Sequence, residues 1–332
     1  MRVLLHIGPH KTGTTSIQQV LLNSRTQLHY PEPPIDGPGH AAYAVEVLGL
    51  ANLPEAEVLG GNLVRGAFTP HPDAVSIPDM PRNAGTLLGD MVDAAREDTR
   101  PFVWSCEWFS IAASLSKTRA GLIDLARRHP VEPIFTLRPP RARLWSSLQE
   151  SVKQHWPVDL DDPASLLDTI QRQPGYYAHF VRDFMGFAPW SRAHFVICNE
   201  DNPDFLAQSF SRILGCALTL ENSPRFMNRR SPYAKIRLAA ALHRERPELD
   251  WTTHLAEVEE KWSLQSRADP TLGRRPYPPL PPALLAWAYD AWRVQMKDIA
   301  ALERAGRAEV YRPSRWSILK SRLGRLRARW RP

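Results

Sequence analysis

The sequence predicts an α/β fold built on a parallel sheet, and three observations carry that expectation. Four short apolar segments, Val3–Ile7, Phe102–Ser105, Pro133–Leu137 and His194–Cys198, have the length and unbroken hydrophobicity of strands buried on both faces. Each is followed by a helical pattern or by a turn that leads to one. The first of them runs through a glycine-containing loop into a helix, an arrangement that gathers an anion at the carboxyl edge of such a sheet.

That first unit spans Met1 to Gln18. Gly8 and Gly13 have the spacing of the nucleoside-triphosphate loop G-x-x-x-x-G-K-[ST], but Thr14 stands where that loop has its lysine, and the lysine comes earlier, at Lys11. In the triphosphate arrangement the lysine reaches the β- and γ-phosphates and the next hydroxyl holds magnesium. Lys11 inside the loop is aimed at a different atom. Thr12, Thr14, Thr15 and Ser16 add hydroxyls around the helix start, where amides and the helix dipole attract negative charge. The competing reading is an ordinary glycine turn capped by Thr14 or Thr15.

The remaining elements follow in order. Ser16–Asn23 continues the first helix, Leu122–Arg128 follows the second strand, and Arg141–Lys153 follows the third. Asp204–Leu214 follows the fourth and stops at Gly215. Between the first two strands, residues 31–100 form an insert too long for a simple crossover, Pro-rich at Tyr30–Gly39 and Pro70–Pro81, with helices expected at His40–Leu48 and near Leu87–Ala95. It is expected to cover the mouth of the site. Residues 233–305 read as mostly helical, broken by an extended stretch at Arg275–Pro282.

A second anion clamp is legible at the third strand. Arg138 sits where that strand ends, Pro139 and Pro140 suit the start of the next helix, and Ser146 lies eight residues, about two helical turns, beyond Arg138. A guanidinium forks onto phosphate oxygens and a hydroxyl adds one more bond. Either residue alone reads equally well as an ordinary surface position.

The Lys11-Thr12-Gly13-Thr14-Thr15 loop after an N-terminal strand resembles the 5′-phosphosulfate loop of sulfotransferases that use 3′-phosphoadenosine 5′-phosphosulfate (PAPS). Arg138 with Ser146 resembles the same family's 3′-phosphate signature. The resemblance extends more weakly to Asn199-Glu200-Asp201 and to Met227-Asn228-Arg229-Arg230-Ser231, and covers residues 1–235 with long unassigned stretches. It looks closest to the bacterial and carbohydrate-type branch. It implies a three-layer sandwich with a central parallel sheet, the P-loop NTPase-like sulfotransferase fold, over a domain at residues 1–310. It further implies PAPS as sulfuryl donor, and an acceptor that is a glycan, a glycolipid or a small alcohol, or an amine. No metal is expected, since no carboxylate pair or His cluster has ligand spacing.

An acceptor hydroxyl needs a general base. Glu107, just past the second strand, is the preferred candidate, because related carbohydrate enzymes are thought to place a glutamate comparably. His10 in the loop and His40 in the insert come next, followed by His155. Glu107 is also suited to pairing with Lys11 or capping a helix. Trp108, Trp156 and Trp190 have the chemistry to stack on a sugar, though core positions suit them as well.

Composition excludes other classes. The chain has 332 residues and net charge +7, but eight basic residues and no acid lie between Tyr311 and Pro332. Taking those eight from the 42 basic residues leaves 34 against 35 acidic ones. The body lacks the basic face of a nucleic-acid-binding domain, so no nucleic acid is expected as partner. No apolar run reaches the roughly 18 residues of a membrane span. Val3–Ile7 is too short for a secretory segment, so a cytoplasmic location is expected. Cys106, Cys198 and Cys216 have neither metal nor disulfide spacing and read as structural thiols.

The tail, residues 311–332, places Trp316, Leu319, Leu323, Leu326 and Trp330 on one helical stripe among arginines. Such a helix suits an anionic membrane surface, which would make the protein peripheral at the inner face of the membrane. An anionic polysaccharide, the protein's own body, or a disordered state are the alternatives. Two other functional classes share the opening motif: a P-loop kinase or other nucleoside-triphosphate enzyme, and a catalytically silent nucleotide-binding protein of the same fold.

Overall fold

Strand-forming segments buried on both faces belong inside a parallel sheet, and such a sheet forms here. The computed structural model describes residues 1–8, 14–30, 89, 91–105, 109–110, 116–153, 158–171, 178–198, 204–218, 231–274 and 279–313. The expectations for the loop interior (His10, Lys11, Thr12, Gly13), His40 and most of the insert, Glu107, Trp108, His155, Trp156, residues 199–201 and 227–230, and the tail from 314 lie outside these residues. The chain divides into two compact units. The first is Met1–Pro139, Ala178–Arg225 and Arg293–Pro332, and the second is Pro140–Tyr177 and Phe226–Trp292.

The first unit holds strands β1 (Val3–Ile7), β2 (Phe102–Ser105), β3 (Val131–Leu137), β4 (Ala193–Ile197) and β5 (Ala308–Tyr311) in the order β2-β1-β3-β4-β5. Every pairing is parallel, with Ile7 opposite Phe135 and Leu137 opposite Ile197. All carboxyl ends therefore share one edge of the sheet. Every side chain of β1 is buried, as a two-face strand requires.

Helices α1 (Thr14–Asn23), α2 (Ser116–Arg128), α3 (Pro140–Lys153), α4 (Pro163–Gln171), α5 (Phe180–Gly186) and α6 (Asp204–Leu214) follow one another through the sheet-forming half of the chain. On one sheet face Leu4, Val103, Ile134 and Val196 pack against Ile17, Val20 and Leu21 of α1 and Phe210, Ile213 and Leu214 of α6. On the other, Phe135 stacks on Phe195 at 4.8 Å and meets Phe180 and Phe184 of α5 edge-on. Trp190 stacks on Phe184, donates its indole N–H to the Phe184 carbonyl at 2.9 Å, and is 4% exposed. It is core, not a sugar platform.

The second unit is helical. Leu144, Trp145 and Leu148 of α3 share a core with Leu166 and Ile170 of α4, with Ile236 and Leu242 of α7 (Tyr233–Glu245), with Val258 of α8 (Trp251–Ala268), and with Leu284 at the start of α9 (Pro282–Arg304). The helix starts follow local chemistry. The Asp162 carboxylate accepts the amides of Ala164 and Ser165, and Pro163 needs no partner at the first helical position. Asp250 caps α8 in the same way through the amide of Thr253.

The four expected strands and the helices after them are present, with β3 starting two residues early and β4 one. The chain adds what the periodicity did not announce, namely helices α4 and α5 and the edge strand β5. Gly215 ends α6 at φ 72°, the left-handed stop that a glycine takes without strain. Of the insert, residues 91–94 are helical, within the helix expected near Leu87–Ala95.

Candidate functional site

β1 passes from Ile7 to a buried Gly8, and α1 is helical from Thr14. Residues 8–13 lie between the strand and the helix. Thr14 and Thr15 form the first helical positions, and Ser16 is exposed in the same turn. The first turn of α1 carries no acid, so the helix itself adds no negative charge to the positive end of its dipole.

Arg138 directly follows β3, the strand beside β1, and is half-buried. Its charge reaches Cys198 at the end of β4. Burial pushes the Cys198 thiol up to about 12, and Arg138 offsets this only in part. Burial also raises the Cys216 thiol. Neither thiol is in a disulfide, both are partly buried, and their raised values keep them protonated near neutral pH. The amide of Cys198 donates to the carbonyl of Leu137 at 2.7 Å, which ties the ends of β3 and β4 together.

Ser146 is half-buried on α3, which begins at Pro140 as expected, and belongs to the second unit while Arg138 belongs to the first. On the same helix Arg143 is 5% exposed. A guanidinium taken out of water must be matched by acceptors. The position reads in sequence as one more arginine in Arg141-Ala142-Arg143, and nothing in the local pattern distinguishes it.

Between β1, β2, β3 and α1 lies a polar row that the motif reading passed over. His6 of β1 is fully buried, with Nδ1 2.6 Å from the Ser105 hydroxyl on β2 and Nε2 3.0 Å from the Thr136 hydroxyl on β3. The Gln18 amide of α1 donates to the carbonyl of Ser105 at 3.1 Å, and Phe210 meets the His6 ring edge-on at 4.9 Å. The row fastens three strand ends and the loop's own helix into one floor two residues before Gly8. Its sequence signal was a single polar residue in each of three apolar runs.

Among the described residues no group of three or more His, Cys, Asp or Glu is placed to hold a metal ion, and no helix is long and apolar enough to cross a membrane. Comparison with family models, curated proteins and solved structures returned no match to this chain.

Proposed function

We propose that the chain is a PAPS-dependent sulfotransferase of the P-loop-like fold, moving a sulfuryl group to a hydroxyl or amine of a carbohydrate, glycoconjugate or small alcohol. The observation that supports this most is the junction of β1 and α1. A buried glycine follows the strand, the helix starts without an acid, and the connecting segment carries Lys11 where a triphosphate loop would not. Arg138 at the end of the neighbouring strand supplies a second cation on the same edge, suited to the donor's other anionic end.

In this reading the loop amides and the hydroxyls of Thr12, Thr14, Thr15 and Ser16 hold the 5′ end of the donor, while Arg138 and Ser146 hold the 3′-phosphate. The acceptor oxygen attacks sulfur in line as the bond from sulfur to the bridging oxygen breaks. Lys11 stabilises the negative charge that gathers on that oxygen. Glu107, with His10 as the alternative, takes the acceptor's proton. The other product is adenosine 3′,5′-bisphosphate, and the chemistry calls for no metal.

Calorimetric titration with adenosine 3′,5′-bisphosphate tests the reading. Binding at or below the order of tens of micromolar is expected, against a far weaker response to ATP with magnesium. Absence of bisphosphate binding in that range would overturn it. For the tail, an anionic membrane surface and the protein's own body are equal readings; on the first, co-sedimentation with anionic vesicles should fall when the chain is truncated at Tyr311.

A further inference from the structure

A pocket of about 660 Å³ opens beside the start of β4, along β5 from Glu309 to Arg312 just beyond it, and at the end of α6. Its groups can be assigned one by one. Arg2 is spent on structure, with Nε and Nη2 gripping the Glu132 carboxylate at 2.9 and 2.6 Å and Nη1 donating to the Ile213 carbonyl at 3.0 Å. Glu132 also accepts from His194 Nε2 at 2.7 Å, so both its oxygens are engaged. One other carboxylate lines the pocket, Glu309, and it faces three guanidiniums, those of Arg192, Arg212 and Arg312. Arg192 approaches Glu309 at 3.5 Å, and Arg312 reaches Glu303 at 3.3 Å.

His194 supplies the second observation. Its side chain is only 4% exposed, and its Nδ1 is buried without a hydrogen-bond partner. The Glu309 carboxylate stands 3.8 Å away, too far for a hydrogen bond. A buried ring nitrogen left unsatisfied on the wall of a cation-rich pocket is costly unless something binds there. Because Glu132 only accepts, Nε2 carries a proton, and Nδ1 becomes a donor when the ring takes up its second one.

From this geometry we propose that the pocket is a binding site for a tetrahedral oxyanion, a phosphate or sulfate group free or on a small ester. It is held by Arg192, Arg212 and Arg312 and by Nδ1 of His194. The bound anion competes with Glu309, whose side chain is 43% exposed and is held by Arg192 and by a hydrogen bond from Tyr311. The site is lined by none of the residues of β1 or α1 and does not rest on the sulfotransferase reading.

The test is NMR on the full-length chain labelled in its histidine rings, with His194 assigned through His194→Gln and inorganic phosphate as the probe. The His194 signals should move and saturate at a concentration on the order of millimolar. Sulfate and glycerol phosphate run in parallel distinguish a free anion from an ester. Arg192→Gln with Arg212→Gln should raise the half-saturation concentration about tenfold or more, whereas Lys11→Met should leave it unchanged. Three results would each overturn the proposal. They are signals unmoved at ~50 mM phosphate, an equal response to sodium chloride of matched ionic strength, and loss of the response in Lys11→Met.

Discussion

His6 and Ser105 meet 2.6 Å apart inside the sheet although 99 residues separate them in the chain, and Thr136 closes the other side of the same imidazole. An imidazole carrying one ring proton donates to one hydroxyl and accepts from the other. The row thus satisfies three buried polar groups at once.

Removing only the ring should hurt more than removing the whole row. His6→Leu leaves two buried hydroxyls without their partner, and a loss of about 2–4 kcal/mol is expected in urea unfolding. Adding Ser105→Ala and Thr136→Val to His6→Leu should recover part of that loss. A triple variant less stable than the single one would show that the row does not act as a unit.

Glu132 makes stability depend on acid. Burial alone would push its carboxyl up, but the hydrogen bonds from His194 and Arg2 outweigh it and hold the group at about 2, below its ordinary 4.5. A depressed folded value means that the stabilisation is present above pH 4.5 and is lost as pH falls toward 2. Glu132→Gln should cost about 1–2 kcal/mol at pH 7, after allowance for solvent screening. Its stability curve should then converge on that of the native chain only below about pH 2. Curves that stay parallel would contradict this.

Lys11 and Arg138 should separate rate from affinity if the proposed function holds. Lys11→Met is expected to lower kcat by about 100- to 1000-fold. Arg138→Gln should instead weaken adenosine 3′,5′-bisphosphate by roughly 10- to 100-fold. Calorimetry and single-turnover sulfuryl transfer measure the two effects independently, and an unaltered bisphosphate affinity in Arg138→Gln would remove that residue from the donor site.

Glu107→Gln keeps the size of the side chain and removes its basicity. Turnover should nearly vanish while donor-product binding is retained. Near-normal turnover would pass the role to His10, for which His10→Gln is the corresponding variant.

Gly215 isolates a purely conformational effect. A methyl group added there meets nothing within 4 Å, yet φ is 72°. Gly215→Ala should therefore destabilise by about 1 kcal/mol in thermal or chemical unfolding, and Gly215→Asn by less, because asparagine tolerates the left-handed region better.

What the sequence determined on its own is local. Short, mainly apolar runs marked β1 to β4, because burial on both faces favours apolar side chains and admits a polar one only where it finds a partner. Helix starts and stops were readable from Pro140 and Gly215, whose backbone restrictions act within a turn. The strand–glycine–helix order at Gly8 was readable for the same reason. β5 escaped because an edge strand needs little hydrophobicity: Ala308 alone is buried, and Glu309 to Tyr311 are half-exposed. Pairing across the chain was the work of tertiary structure. The order β2-β1-β3-β4-β5, the joining of His6 to Ser105 and Thr136, and the gathering of Arg2, Glu132 and His194 around one carboxylate bring together residues 62 to 130 positions apart. Such partners leave no periodic trace in the sequence, because the free energy of a buried polar contact depends on where the sheet sets its register and not on which residues lie next to it in the chain.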